Sequence, residues 1–284
     1  MECIIKKDKY ELYNCDCIEA MDLLITEGKQ VDLTVTSPPY DDLRSYDNSL
    51  VWNFDIFKQV ADRLYKITKD GGVVVWVVGD KTKDGSESGT SFKQALYFKE
   101  IGFNLHDTMI YHKKNSFGTC GNPPIRYSQA FEYIFVLTKG RIKTFNPIRM
   151  PCIHSGKKVK GASTRKNRQS DGLPFDYKRK KDMDVKDTKI KENIFSYYTG
   201  FNKSSKDRIA FEHPAIFPES LAMDMIQSYS NEGDLVFDCF MGANTTGKMA
   251  LLNNRKFIGI EKVEKYFEIS KQRIGIVKED DDFE

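Results

Sequence analysis

Val236-Phe237-Asp238-Cys239-Phe240-Met241-Gly242-Ala243-Asn244-Thr245-Thr246-Gly247 is the stretch on which the reading of this 284-residue chain turns. An apolar run ends in an acidic residue, small residues follow, and helix-compatible sequence resumes at Thr245. Gly242 and Asn244 enter the left-handed backbone region at low cost, so the chain can turn tightly and bring backbone amides close to a ligand. Open α/β sheets bind ligands at this carboxyl end of their strands. Twenty-three residues beyond Asp238, the run Phe257-Ile258-Gly259-Ile260 ends in Glu261, a carboxylate able to accept both hydroxyls of a ribose. The combination predicts a nucleoside cofactor; the alternative is an ordinary strand-to-helix turn with a surface glutamate.

A second stretch, Thr36-Ser37-Pro38-Pro39-Tyr40, closes the strand-like run Val31 to Thr36. Two successive prolines lack backbone donors and stop the strand. Their carbonyls can accept hydrogen bonds from an amino group, and the Ser37 hydroxyl can accept another. Tyr40 offers a flat face on which a base turned out of a duplex can stack. Taken alone, the stretch reads equally as a rigid loop with a half-buried aromatic.

Further out, a strand is expected over Glu11 to Cys15 and a helix near Ile18 to Leu24. Phe57, Val60, Ala61, Leu64 and Ile67 share one face of a helix over Phe54 to Ile67. A Gly71-Gly72 turn opens the apolar run Val73 to Val78, the pattern of a strand covered on both faces. Helices are also read over 91–101, 218–229, 245–253 and from Val263, and strands over 105–111, 133–138, 234–238 and 256–261. The acidic tail Glu279 to Glu284 is expected to lack structure. This alternation predicts an α/β layer around a mostly parallel sheet.

The net charge of +3 hides an uneven distribution. Lys139 to Lys191 holds seventeen Lys or Arg against five Asp, a balance of +12 that leaves −9 elsewhere. A basic block on an acidic protein fits a polyanion partner or a solvated loop. Periodicity also fails from about Lys139 to Lys206, which marks a loop-rich insertion. The six cysteines are scattered, and Cys15-Asp16-Cys17 is too tightly spaced for a zinc site, so they read as reduced thiols and no metal is expected. Without an eighteen-residue apolar run or an apolar signal core after Met1, a soluble, cytoplasmic protein with no membrane contact is expected.

Together the two stretches resemble the amino-methyltransferases of DNA. The catalytic tetrapeptide of that family is Ser, Asp or Asn followed by Pro-Pro-aromatic, and its cofactor loop contains Phe-x-Gly-x-Gly. Ser37-Pro38-Pro39-Tyr40 and Phe240 through Asn244 correspond to these motifs, with Asn244 at the second glycine and Cys239 where proline is common. With the catalytic motif first, the order resembles the beta group. That implies a Rossmann-like methyltransferase fold with a mostly parallel seven-stranded sheet, circularly permuted and interrupted by the basic insertion, where that group places its target-recognition region. The implied division is 1–140 for the catalytic half, 141–206 for the insertion and 207–284 for the cofactor-binding half. His213-Pro214-Ala215-Ile216-Phe217-Pro218 is similar to a segment lining the methionine end of the cofactor, and Asn14-Cys15-Asp16-Cys17 to one whose Asp meets the adenine amino group.

The resemblance implies S-adenosyl-L-methionine as cofactor, held by Asp16, Cys17, Thr36, His213, Pro214, Pro218, Asp238, Phe240, Gly242, Asn244, Thr245, Thr246 and Glu261. It implies Ser37, Pro38, Pro39 and Tyr40 as the catalytic set acting on an exocyclic amine in double-stranded DNA. Ser-Pro-Pro-Tyr leans toward N4 of cytosine, with N6 of adenine as the alternative. Arg44, in a flap-like segment after the catalytic loop, and Lys157, Lys158, Lys160, Arg165, Lys166 and Arg168 of the basic block are the expected DNA contacts. Lys113 and Lys114 are further candidates to meet phosphates. A homodimer and a cognate restriction endonuclease are candidate partners in a bacterial or phage setting. Three rivals remain at this point: cytosine C5 methylation through Pro151-Cys152, whose context inside the insertion does not fit, a DNA-binding protein that keeps the fold without catalysis, and an enzyme of the same kind acting on RNA.

Overall fold

A computed structural model of the chain describes residues 5–39, 52–115, 126–159, 164–168, 174–178 and 183–281. Contacts divide it into two compact units, one formed by 1–146 with 193–284 and one by 147–192. The larger unit is built on strands Ile5–Lys6 (β1), Tyr10–Tyr13 (β2), Val31–Thr36 (β3), Thr68–Val78 (β4), Phe103–Lys113 (β5), Phe131–Lys139 (β6), Ile194–Tyr197 (β7), Leu235–Asp238 (β8) and Lys256–Ile260 (β9). Its helices are Cys17–Thr26 (α1), Phe54–Ile67 (α2), Thr90–Glu100 (α3), Glu219–Tyr229 (α4), Thr245–Leu252 (α5) and Glu264–Asp281 (α6).

Among the described residues the strands form one nine-stranded sheet in the order β1-β2-β9-β8-β3-β4-β6-β5-β7. The five strands from β2 to β4 run parallel, β6 runs antiparallel to both neighbours, and β7 lies parallel to β5. The seven-stranded α/β core expected from the sequence is therefore present, extended at each edge by a short strand. Patterning explains why it forms. Every residue from Val73 to Val78 is buried, as a strand covered on both faces requires. The five apolar positions of α2 are all fully buried, and Asn53 caps that helix by accepting from the Ile56 amide at 2.9 Å.

Three details differ from the sequence reading. β4 begins at Thr68 rather than after the glycines, because its pairing with β3 shifts register between Val31 and Leu33 and takes up the intervening residues. A Cβ on Gly72 would lie 2.9 Å from the Lys69 carbonyl oxygen and 3.0 Å from that of Asp32, so the close approach needs glycine. β7 joins the sheet from within the stretch that reads as basic loop, and α6 runs to Asp281.

The smaller unit consists of antiparallel pairs nested in sequence: Arg149–Pro151 with Thr188–Ile190, Lys158–Val159 with Met183–Asp184, and Thr164–Arg168 with Pro174–Lys178. No helix of the described residues is long and apolar enough to cross a membrane.

Candidate functional site

β8 and β3 are neighbours, yet the chain leaves them in opposite directions: β8 leads through α5 to β9, and β3 through α2 to β4. Loops that diverge from adjacent strand ends open a crevice between them, the switch point at which open α/β sheets bind ligands. Here the two ends are tied together. The Thr36 hydroxyl donates to Asp238 Oδ1 at 2.6 Å, and the Phe240 amide donates to the same oxygen at 3.0 Å. Thr246 reaches back across the junction, its hydroxyl donating to the Val35 carbonyl at 3.1 Å. Burial pushes the Asp238 carboxyl up to about 6, against the opposing pull of the hydrogen bonds from Thr36, the Phe240 amide and Thr246. Thr36→Val removes one donor from this buried group and is expected to cost about 2 kcal/mol of folding stability, read by denaturant unfolding at neutral pH.

Both strand ends open into a cavity of about 790 Å³. Of the residues singled out from sequence, Asp16, Cys17, Ser37, Pro39, His213, Pro214, Phe240, Gly242, Thr245 and Glu261 line it. Thr36, Asp238, Asn244 and Thr246 lie buried among the residues that support it. Pro38 is buried between Ser37 and Pro39, while Pro218 forms the cap of α4, with Ile216 and Phe217 lining the wall in its place. Tyr40, Arg44 and Lys160 lie outside the described residues. In the smaller unit Lys157 and Lys158 are exposed, and Arg165, Lys166 and Arg168 lie on the strand Thr164–Arg168.

Glu261 follows β9 and is held from both sides. Oε2 accepts the Gly242 amide and Oε1 the Val263 amide, each at 2.8 Å. Each oxygen keeps a second lone pair, the arrangement a vicinal diol needs. Burial raises the carboxyl to about 7, although those backbone hydrogen bonds pull the other way. Asp16 caps α1 through Oδ1, accepting from Ile18 N at 2.9 Å, while its Oδ2 meets Lys262 Nζ at 3.1 Å. Asn14 fastens the same corner, donating to the Glu261 carbonyl at 2.9 Å.

The turn after β8 has the expected backbone. Gly242 has φ +49 and Asn244 φ +60, so asparagine occupies a left-handed position where glycine is the usual choice. Gly242 is needed for space as well, since a Cβ there would sit 3.0 Å from His213 Nε2. His213 packs edge-on against Tyr266 at 4.4 Å, and its Nδ1 accepts the Ala215 amide at 3.1 Å. That bond puts the ring proton on Nε2, facing the turn.

Sequence reasoning missed much of the wall. Trp52, Tyr111, Glu132, Phe211 and Tyr266 line the cavity, with Lys113 ion-paired to Glu132. It also missed a buried cluster behind the turn. Arg273 of α6 is fully buried; it donates to the Ala243 carbonyl, pairs with Glu219, and reaches Asp207 at 3.0 Å, while Lys248 meets Asp207 at 2.7 Å and Glu219 at 3.1 Å. Burial alone would raise the Asp207 carboxyl, but hydrogen bonds from Lys248 and Arg273 outweigh it and hold the group below its ordinary value.

Two of the thiols that line the cavity are held in the neutral form. Burial pushes Cys17 up to about 12 and Cys239 well above its ordinary value, so neither presents a thiolate. Cys152 lies in the smaller unit.

With this geometry in view, comparison with known proteins is direct. The chain is 53% identical over 247 residues to the orphan methyltransferase M.BamHII of Bacillus amyloliquefaciens, a match covering 86% of this chain and 88% of that one. Solved structures of DNA methyltransferases share its fold. PvuII DNA methyltransferase (cytosine-N4-specific) superposes with a TM-score of 0.68 at 19% identity, over 96% of this chain and 92% of the other. The M1.HpyAVI–SAM complex does so with a TM-score of 0.61 at 23% identity, over 93% and 98%. The family model described as DNA methylase, of the N6/N4 methyltransferases, matches residues 31–272. A match across most of the length, joined to the identity with M.BamHII, makes this chain a DNA methyltransferase that belongs to the N6/N4 DNA methylase family.

Proposed function

We propose that this methyltransferase moves a methyl group from S-adenosylmethionine to N4 of cytosine in duplex DNA, acting on a base turned out of the helix. The observation that carries the reading is the shared cavity, which has Ser37 and Pro39 on one side of the switch point and Gly242 and Glu261 on the other.

The residues present fit that cofactor. Glu261 offers two oxygens with a free lone pair each for the ribose diol, Asp16 stands at the neighbouring strand end, and Phe211, Phe240 and Tyr266 supply apolar wall. The cradle at Gly242 is one that any Cβ would fill. Gly242→Ala forces a left-handed residue with a side chain, a cost of roughly 1–2 kcal/mol, and displaces His213. It is expected to weaken S-adenosylmethionine binding about ten-fold by isothermal titration.

Bound there, S-adenosylmethionine supplies a methyl carbon made electrophilic by its sulfonium sulfur. The chain's own task is to activate an exocyclic amine, whose lone pair is delocalised into the ring. The Ser37 hydroxyl oxygen and the Pro38 carbonyl accept the two amino hydrogens, which favours a pyramidal nitrogen and takes up its developing positive charge. The proton departs late, to Ser37 or water. Tyr40 stacks on the base, offsetting part of the unstacking cost. The smaller unit acts as the target-recognition region, with Lys157, Lys158, Lys160, Arg165, Lys166 and Arg168 as its cations and Arg44 contributing from the segment after the catalytic loop.

The choice of cytosine rests on Ser37 within Ser-Pro-Pro-Tyr. Mass analysis of nucleosides from DNA of cells expressing the protein tests it, with N4-methylcytosine expected. N6-methyladenine alone would assign the adenine alternative, and duplex binding with neither mark would assign a DNA-binding protein without catalysis. A second copy of the chain and a cognate restriction endonuclease are the further partners this reading suggests.

A further inference from the structure

The rim of the cavity carries a feature that the reading above leaves unused. Tyr198 follows β7 and is 55% exposed. Lys114 Nζ lies 5.1 Å, and Lys203 Nζ 5.8 Å, from its ring centroid. Both lysines are exposed, and among the described residues neither is ion-paired with a carboxylate. Like charges drawn to one ring repel each other, and the ring's negative face offsets only part of that cost. An anion is the natural third member of such a group.

The platform is also built to hold its shape. Asn115 clamps the β7 end, donating to the Thr199 carbonyl at 2.8 Å and accepting the Thr199 amide at 2.8 Å and its hydroxyl at 3.2 Å. The Lys114 amide donates to the Tyr197 carbonyl at 2.9 Å. Lys203 sits in a tight turn in which its own amide and that of Ser204 both donate to the Gly200 carbonyl at 3.0 Å, while Ser204 Oγ accepts the Gly200 amide at 3.1 Å. Thr199 and Gly200, which follow Tyr198 in the chain, line the same cavity as Ser37 and Glu261.

We propose that Lys114, Lys203 and Tyr198 form a phosphate-binding rim on the catalytic unit, which grips the DNA backbone beside the target nucleotide. The proposal rests on the reading that duplex DNA is the substrate. A nucleotide that enters the cavity brings its flanking phosphates to this rim, where two ammonium groups and a phenol hydroxyl are available to them. Such contacts position the strand without reading sequence. An acidic peptide would satisfy the same charges, but it has no reason to meet them at the mouth of a cavity shaped for a nucleoside cofactor and a base.

The test uses the full chain and a fluorescently labelled, mixed-sequence DNA duplex titrated from 50 to 200 mM salt. Lys114→Gln/Lys203→Gln is expected to weaken binding about ten-fold at the lowest salt and to lower the slope of log K against log salt by roughly one to two. Lys114→Arg/Lys203→Arg is expected to keep the wild-type slope, and both variants to bind S-adenosylmethionine as wild type does, which confirms that they fold. An unchanged slope and affinity in the Gln variant, with wild type binding normally, overturns the rim alone. A wild-type protein that binds no duplex overturns the substrate reading and the rim with it.

Discussion

Glu261→Gln is expected to weaken S-adenosylmethionine binding about a hundred-fold. The carboxylate takes a backbone amide on each oxygen and keeps one lone pair on each for a ribose hydroxyl. Glutamine has a single acceptor oxygen, so its amide nitrogen must face either the Gly242 or the Val263 N–H, and one hydroxyl loses its partner. Loss of one hydrogen bond to a charged acceptor costs up to roughly 3 kcal/mol, which sets the factor. A pH dependence accompanies it. Burial raises the Glu261 carboxyl to about 7, so the form that accepts both hydroxyls is the minority below that pH. Affinity should therefore rise with pH and level off above about 7, with a roughly ten-fold deficit one unit below that pKa. Titration calorimetry from pH 6 to 8 reads this directly, and the Gln variant should lose the dependence. Folding stability moves the opposite way. The free folded protein holds this proton more tightly than the unfolded chain, so the residue's contribution falls as pH climbs from the ordinary glutamate range toward 7.

Ser37→Ala is expected to lower kcat by about a hundred-fold while leaving cofactor affinity unchanged. Removing one positioned hydrogen-bonding group from a reacting centre commonly costs this much. The separation of effects follows from position, because Ser37 lies at the end of β3, whereas Glu261, the residue proposed to hold the ribose, follows β9, two strands away. Single-turnover methyl transfer with labelled cofactor measures the rate, and calorimetry checks the affinity. Undiminished turnover would remove Ser37 from the chemistry and leave the Pro38 carbonyl and Tyr40 as the remaining catalytic candidates.

Where sequence pattern reports burial, it located the elements well. The helix over Phe54 to Ile67 has the bounds its apolar face implied, and all five positions of that face are buried. That the two strand ends belong to one site was implied by the family resemblance of their motifs, prolines after a hydroxyl at one and a left-handed turn at the other; each stretch taken alone also reads as an ordinary loop. Elements without a buried face left no such trace. The six short strands described between residues 149 and 190 pair with one another, but with Lys and Arg among them they show no period-two apolar pattern. β7 is four residues long at the sheet edge, with Ile194 exposed, and it is lost against the same background. The cavity's aromatic wall was hidden for a different reason. Trp52, Tyr111, Phe211 and Tyr266 come from four separate parts of the chain, and any of them alone reads as core. Only the tertiary arrangement makes them neighbours.

The buried Arg273 cluster bears on how the enzyme matures. Its guanidinium is the last of the four charges to be synthesised, following Asp207, Glu219 and Lys248 in the chain, and it is the one bonded to the carbonyl of Ala243 in the cofactor turn. While a nascent polypeptide still lacks α6, Asp207 and Glu219 share the Lys248 cation and the Ala243 carbonyl lacks its Arg273 donor. A chain truncated before α6 is thus expected to keep the bonds of the turn to Ile260 and Glu261 but to lose the Arg273 contact to Ala243.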